Sequence, residues 1–191
     1  MKHIVAALVE NRPGVLNRVA SLFRRRGFNI DSLAVGTTEE AGVSRMTIVV
    51  EGDPSISLQV ERQLDKLIDV ITVENLTDVD AVVRELALIK IAARPDQRRE
   101  ILDLVDIFRA QVVDVSPSSL VIQLTAAEET LDALLENLRP YGVREMVRTG
   151  RIALARGART TAVHEHESAE LQRFHSESGR RPEGDLPYVS E

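Results

Sequence analysis

The sequence predicts an α+β protein: two tandem β-α-β-β-α-β units, the ferredoxin-like arrangement, followed by a polar tail. Three observations predict it. Apolar runs of strand length alternate with stretches of helical period; the element order over residues 1–78 repeats over residues 79–156; and apolar residues thin out from Gly157 onward. The repeat is one of element order, not of residue identity.

Each element has a local reason. Residues 3–10 (HIVAALVE) form an apolar run of strand length that Asn11 ends. Pro13 suits the first position of a helix, where its missing N–H costs nothing. Val15, Leu16, Val19, Ala20, Leu22 and Phe23 follow at helical spacing. Arg24, Arg25 and Arg26 fill the last turn, where cations favour the helix dipole. Gly27 fits the left-handed residue that ends a helix. Strands over 28–37 and 45–51 are joined by a turn through Glu39-Glu40-Ala41-Gly42, and Gly52-Asp53-Pro54 ends the second. Ile56, Val60, Leu64 and Leu67 share one face of a second helix, and residues 70–76 complete the unit. The second unit reads likewise: strand 82–93, a helix carrying Ile101, Leu102, Val105 and Phe108, strands 112–115 and 120–125, and a helix carrying Leu131, Leu134, Leu135 and Leu138. A last strand over 143–155 is interrupted near Thr149-Gly150. The boundary between units falls in 77–80.

The first strand is apolar on both faces, with Ile4, Ala6 and Leu8 on one and Val5, Ala7 and Val9 on the other. A sheet covered on one side alternates more cleanly. The second face is therefore expected to lie under another domain or subunit.

The 191 residues are 43% hydrophobic and 28% charged, the composition of a soluble globular protein. The absence of cysteine excludes disulfides, thiolate metal sites and a cysteine nucleophile, and it fits a reducing cytoplasm. No apolar run approaches the ~18–20 residues of a membrane span, and Met1-Lys2-His3-Ile4 leads directly into a strand, not a signal peptide. A cytoplasmic protein without membrane contact is expected. The net charge of -6, six aromatics and no tryptophan argue against nucleic acid as a partner.

From 157 to 191 four arginines face seven acids. So polar a segment buries too little surface to offset its ordering entropy, and it is expected to be disordered. His164-Glu165-His166-Glu167 and His175 have metal-ligand chemistry. Ligands on a solvated tail lack the outer hydrogen bonds that make a site, so they read as incidental.

No phosphate loop, dinucleotide fingerprint, His-Glu-x-x-His or Gly-x-Ser-x-Gly occurs, and the two units together hold one histidine, His3. No catalytic residue, metal or cofactor is assigned to this chain. The informative segment is Glu10-Asn11-Arg12-Pro13-Gly14-Val15-Leu16. First-turn N–H groups lack intrahelical partners and suit a carboxylate, which the dipole also favours. Gly14 leaves room for a ligand to reach the backbone, and Asn11 offers both a donor and an acceptor. The same residues equally make a plain strand-to-helix turn. Asn29-Ile30 at the start of the second strand is a further candidate, with Asn29 placed to orient an amine; taken alone, it reads more simply as a strand-edge residue facing water.

The run Val9 to Val19 resembles the opening of an ACT domain. With Leu22-Phe23-Arg24-Arg25-Arg26-Gly27-Phe28-Asn29-Ile30-Asp31-Ser32-Leu33-Ala34-Val35-Gly36 and Ser44-Arg45-Met46-Thr47-Ile48-Val49-Val50, the chain is similar to the regulatory (small) subunit of acetolactate synthase, also called acetohydroxyacid synthase. Glu85 to Ile91, Phe108-Arg109-Ala110, Val113 to Pro117 and Arg148-Thr149-Gly150-Arg151 resemble its second domain. Asp31 stands where that family more often has Glu, and the tail lies outside the pattern. The resemblance implies a non-catalytic partner of a large subunit that carries thiamine diphosphate, Mg and FAD. That large subunit condenses two pyruvates, or pyruvate with 2-oxobutyrate. It further implies activation of the large subunit, feedback inhibition by valine or another branched-chain amino acid, and a homodimer through the ACT domains. The effector then sits between subunits, with Asn11, Pro13, Gly14, Val15 and Leu16 on one side and Asn29 and Ile30 from the partner. The alternative is an ACT-type amino-acid sensor acting on a different target protein.

Overall fold

The computed structural model describes residues 1–161. The expectations of disorder beyond residue 161, and those for His164-Glu165-His166-Glu167 and His175, lie outside the described residues.

The first unit runs β1 (Lys2–Glu10), α1 (Val15–Arg26), β2 (Ile30–Thr37), β3 (Val43–Glu51), α2 (Pro54–Leu64) and β4 (Val70–Asn75). Its antiparallel sheet has the order β2-β3-β1-β4. The odd residues Val5, Ala7 and Val9 of β1 pack with Val15, Val19, Leu22 and Phe23 of α1 and Val60 and Leu64 of α2. Fully burying a side chain of this kind contributes about 1.5–3 kcal/mol over leaving it exposed. Gly27 takes the left-handed conformation that ends α1. Asp53 caps α2 by accepting the Ser55 N–H at 2.8 Å, and Pro54 opens the helix.

The start of α1 differs from the sequence expectation. Pro13 is not its first residue; Val15 is, and Gly14 precedes it with φ 90° and ψ -12°. Arg12-Pro13-Gly14-Val15 is a type II turn, with Pro and Gly at its two central positions and the Val15 N–H reaching Arg12 O at 3.4 Å. The turn needs the left-handed φ that glycine supplies, and this delays the helix by two residues.

The second unit runs β5 (Ala81–Ala92), α3 (Arg98–Ile107), β6 (Gln111–Val115), β7 (Ser119–Ala126), α4 (Glu128–Leu138), β8 (Val143–Arg148) and β9 (Ile152–Ala155). The sheet order is β6-β7-β5-β8. Ala87, Ile89 and Ile91 of β5 face Ile101 and Val105 of α3 and Leu131, Leu134 and Leu138 of α4. The unit is therefore not a plain copy of the first. Its last strand divides at Thr149-Gly150-Arg151, and both halves pair with the long β5: β8 along Ala87–Ile91 and β9 along Ala81–Arg84.

The β5–β9 ribbon covers the second face of the first sheet. Ala153 and Ala155 of β9 and Val83 of β5 pack with Ile4, Ala6 and Leu76, and Ala6 is fully buried. The small side chains of Ala6 and Ala153 admit this close approach. The doubly apolar first strand is thus explained within one chain, and residues 1–161 form one compact unit.

Candidate functional site

At the β1–α1 junction no side chain caps the helix. After the turn bond from the Val15 N–H to Arg12 O, the next backbone bond in α1 runs from the Arg18 N–H to Gly14 O at 3.0 Å. The Leu16 and Asn17 N–H groups find no acceptor among the described residues, so they remain available to an anion. Asn11 is exposed, and its own N–H donates to Gly42 O at 2.7 Å, fixing the junction to the β2–β3 turn. Pro13 and Gly14 are exposed, and Leu16 is 46% exposed. Val15 is different: its side chain lies in the core at 3% exposure, so only its backbone belongs to the site surface.

Gly14 has a conformational reason of its own beside the room it leaves for a ligand. A Cβ there meets nothing within 4 Å, whereas φ is +90°. The residue is set by backbone conformation more than by crowding.

A clamp that sequence reasoning missed holds the junction in place. Arg18 Nη2 donates to Asp69 Oδ1 at 2.8 Å, with Nε 2.6 Å from Oδ2. The Asp69 carbonyl accepts the Glu10 N–H at 2.9 Å. Asp69 is buried at the end of the α2–β4 connection, and no spacing in the sequence links it to Arg18.

Asn29 is exposed and precedes β2, while Ile30 opens β2 and packs half-buried against the first core. These two residues do not meet Asn11 and Gly14 within one chain. Ile30 pairs across β3 with Val50, which pairs with His3. The other end of β2, Thr37, pairs with Ser44, which pairs with Val9. Asn29 and Asn11 thus lie at opposite ends of the sheet, roughly 20–25 Å apart at ~3.3 Å per strand residue.

Two clefts lie between the units, and neither is lined by these residues. One, of about 360 Å³, is lined by Ala34, Val35, Thr47, Val82, Ile152 and Leu154, together with Arg45. Burial pulls the Arg45 guanidinium below its ordinary pKa, against the opposing charges of Glu74 and Glu39. Its Nη2 donates to Ala153 O at 3.0 Å. The other cleft, of about 390 Å³, is polar and holds Lys2, Asp31, Ser32, Glu85, Glu128 and Arg148. Among the described residues no group of three or more His, Cys, Asp or Glu side chains is gathered as a metal site.

Comparison with known proteins bears on both units. A model of the AHAS small subunit-like ACT domain matches residues 5–72, and a model of the small subunit of acetolactate synthase matches residues 84–157. The probable acetolactate synthase small subunit of Archaeoglobus fulgidus is 55% identical over 157 residues, covering 82% of this chain and 98% of that protein. The chain belongs to the acetolactate synthase small-subunit family. The Mycolicibacterium smegmatis acetolactate synthase small subunit is 52% identical over 82% of this chain and 92% of its own length. The crystal structure of the Thermotoga maritima small subunit superimposes with a TM-score of 0.77 at 41% identity, covering 83% of this chain and 99% of that one. In this small-subunit fold, the free amides at the start of α1 and the residues Asn29 and Ile30 belong to the ACT domain, and the β5–β9 ribbon to the domain that follows.

Proposed function

We propose that the chain is the regulatory partner of an acetolactate synthase catalytic subunit, raising its activity and making it sensitive to a branched-chain amino acid, chiefly valine. On this reading thiamine diphosphate, Mg and FAD reside on the catalytic subunit and the reaction occurs there. What this chain supplies is recognition. The observation that carries the reading is the uncapped start of α1, where amides that find no acceptor among the described residues lie beside exposed Asn11 and Leu16 in a family-matched ACT domain.

The topology favours a site shared between two copies. β2 is an outer strand of its sheet. Pairing two β2 strands antiparallel about a two-fold axis brings Ile30 of one copy to the Thr37 end of the other, beside Asn11 and Gly14. The effector carboxylate then meets the α1 amides, its amine meets the Asn29 side chain, and its branched side chain meets Leu16 and Ile30. Val35, 48% exposed on β2, becomes covered in the same contact.

The test is a thermal-shift panel on the full chain with valine, leucine, isoleucine and unrelated amino acids, followed by reconstitution with the catalytic subunit. A ligand at one hundred times its dissociation constant stabilises by about 2.7 kcal/mol. A shift confined to branched-chain amino acids, together with inhibition of the reconstituted enzyme, is expected. If the panel gives no shift and the reconstituted enzyme ignores all three amino acids, the reading fails.

A further inference from the structure

Along the polar cleft between the units runs a closed circuit of charges and hydrogen bonds, with Lys2, Asp31, Ser32, Glu85 and Glu128 in the cleft wall. It begins at Asp31 on β2, whose carboxylate lies 3.1 Å from the Lys2 ammonium on β1. Lys2 also donates to Glu128, the first residue of α4, at 2.6 Å. Glu128 accepts in turn from Arg151, in the β8–β9 connection. The Arg151 N–H returns to β2, donating to Ser32 Oγ at 3.2 Å. Arg151 is braced from behind by Glu85, 3.5 Å from its Nε and only 6% exposed. The circuit thus leaves β2 at one residue and comes back at the next, having crossed into the second unit.

Two features give this circuit a direction. First, the β2–β3 ladder slips between Ile30 and Ser32, so Asp31 is an inserted residue with no partner across the ladder. A bulge of this kind re-aims side chains and loosens register locally. It sits next to Asn29 and Ile30. Second, Gly150 approaches β2 so closely that a Cβ there would lie 3.3 Å from Ser32. The β8–β9 connection is therefore seated directly on the bulge.

We propose that this circuit carries effector occupancy at Asn29 and Ile30 to the second unit, with Lys2, Ser32 and Glu128 as positioning residues. The inference rests on the effector reading above. A ligand that contacts Asn29 and Ile30 shifts the bulge, and the shift alters how Asp31 and Ser32 hold Lys2 and Arg151. Effector affinity then differs between the closed and the open circuit, which is the differential interaction that coupling requires. None of the three residues touches the effector, so removing them uncouples the response without removing the site.

The test uses the full chain reconstituted with its catalytic subunit. Lys2→Met, Glu128→Gln and the conservative Ser32→Ala are each examined for valine-induced thermal shift, for activation of the catalytic subunit, and for valine concentration at half inhibition. The expected result is a thermal shift that is retained, though changed in size, and unchanged activation, with half inhibition moved up by about tenfold, within the usual range of allosteric coupling. The Lys2→Met and Ser32→Ala double variant is expected to be no worse than either single one, because members of one circuit are not additive. Inhibition like that of the unmodified chain in all three variants overturns the proposal and leaves the effector reading intact. Loss of the thermal shift along with inhibition also overturns it, by placing these residues in the binding site. An unmodified chain that neither binds nor responds to any branched-chain amino acid overturns the effector reading and this inference together. Should Lys2→Met or Glu128→Gln fail to fold, Ser32→Ala decides, since it removes one hydroxyl from a half-buried position.

Discussion

At the scale of single residues, Gly14 separates backbone geometry from ligand chemistry. Its left-handed φ is unfavourable for a residue with a Cβ by about 1–2 kcal/mol, and Asn tolerates it better than most. Gly14→Asn and Gly14→Asp have nearly the same shape and differ in charge. Gly14→Asn is expected to retain a valine-induced thermal shift, and Gly14→Asp to lose it, because an added carboxylate competes with the effector for the α1 amides. Equal loss in both variants shows that shape and not charge governs the site. Asp53 gives a prediction with a pH sign. Its carboxyl is held below the ordinary carboxylate range by the Ser55 side chain and by the Ser55 N–H. A folded-state pKa below the unfolded one means that the stabilisation is fully present above the unfolded value, ~3.9, and is lost as pH falls through the folded value. Asp53→Asn keeps a capping oxygen without the charge. Its Tm deficit at pH 7 should therefore shrink steadily as the unmodified protein is acidified below about pH 4. A deficit independent of pH refutes this account of the cap.

Among the elements, β1 and β5 carry the fold. β1 lies between two layers: helices over Val5, Ala7 and Val9, and the β5–β9 ribbon over Ala6. The two layers differ in tolerance. Ala6 and Ala153 are both small and at most 3% exposed. Ala6→Leu is expected to destabilise by about 1–3 kcal/mol, the usual result of overpacking a full interior. A urea titration should show a lower midpoint with an unchanged slope, since no additional surface is exposed in the folded state. A neutral Ala6→Leu would mean that the ribbon can lift away from the sheet. The same contact explains why β5 has 12 residues: its first third serves the neighbouring unit and the remainder its own sheet.

For the whole molecule, Asn11 and Asn29 lie at opposite ends of the first sheet, so the proposed shared site requires a second copy. Val35→Glu places a charge on the outer strand at a half-exposed apolar position. It is expected to convert a dimer to a monomer by light scattering and to abolish the valine-induced shift, while far-UV circular dichroism stays the same. A monomeric variant that still binds valine would assign the whole site to one chain.

From the sequence alone came the alternation of elements, the tandem repeat of their order and the position of the Gly27 helix stop, with the segment around Asn11 and Gly14 marked as a candidate. These depend on local chemistry: periodicity, proline and glycine stereochemistry, and the amides of a helix end. The sequence also indicated, through the two apolar faces of β1, that something covers the second face. The folded chain alone shows that the cover is β9 and the start of β5, that Val15 turns its side chain inward, and that Pro13 and Gly14 form the centre of a type II turn, so that Pro13 does not start the helix. It alone brought Arg18 to Asp69, and Lys2 and Ser32 to Glu128 and Arg151. The reason is separation along the chain. Pairs 51, 119 and 126 residues apart have no periodicity that links them, and only the closing of one unit on the other puts their atoms within bonding distance.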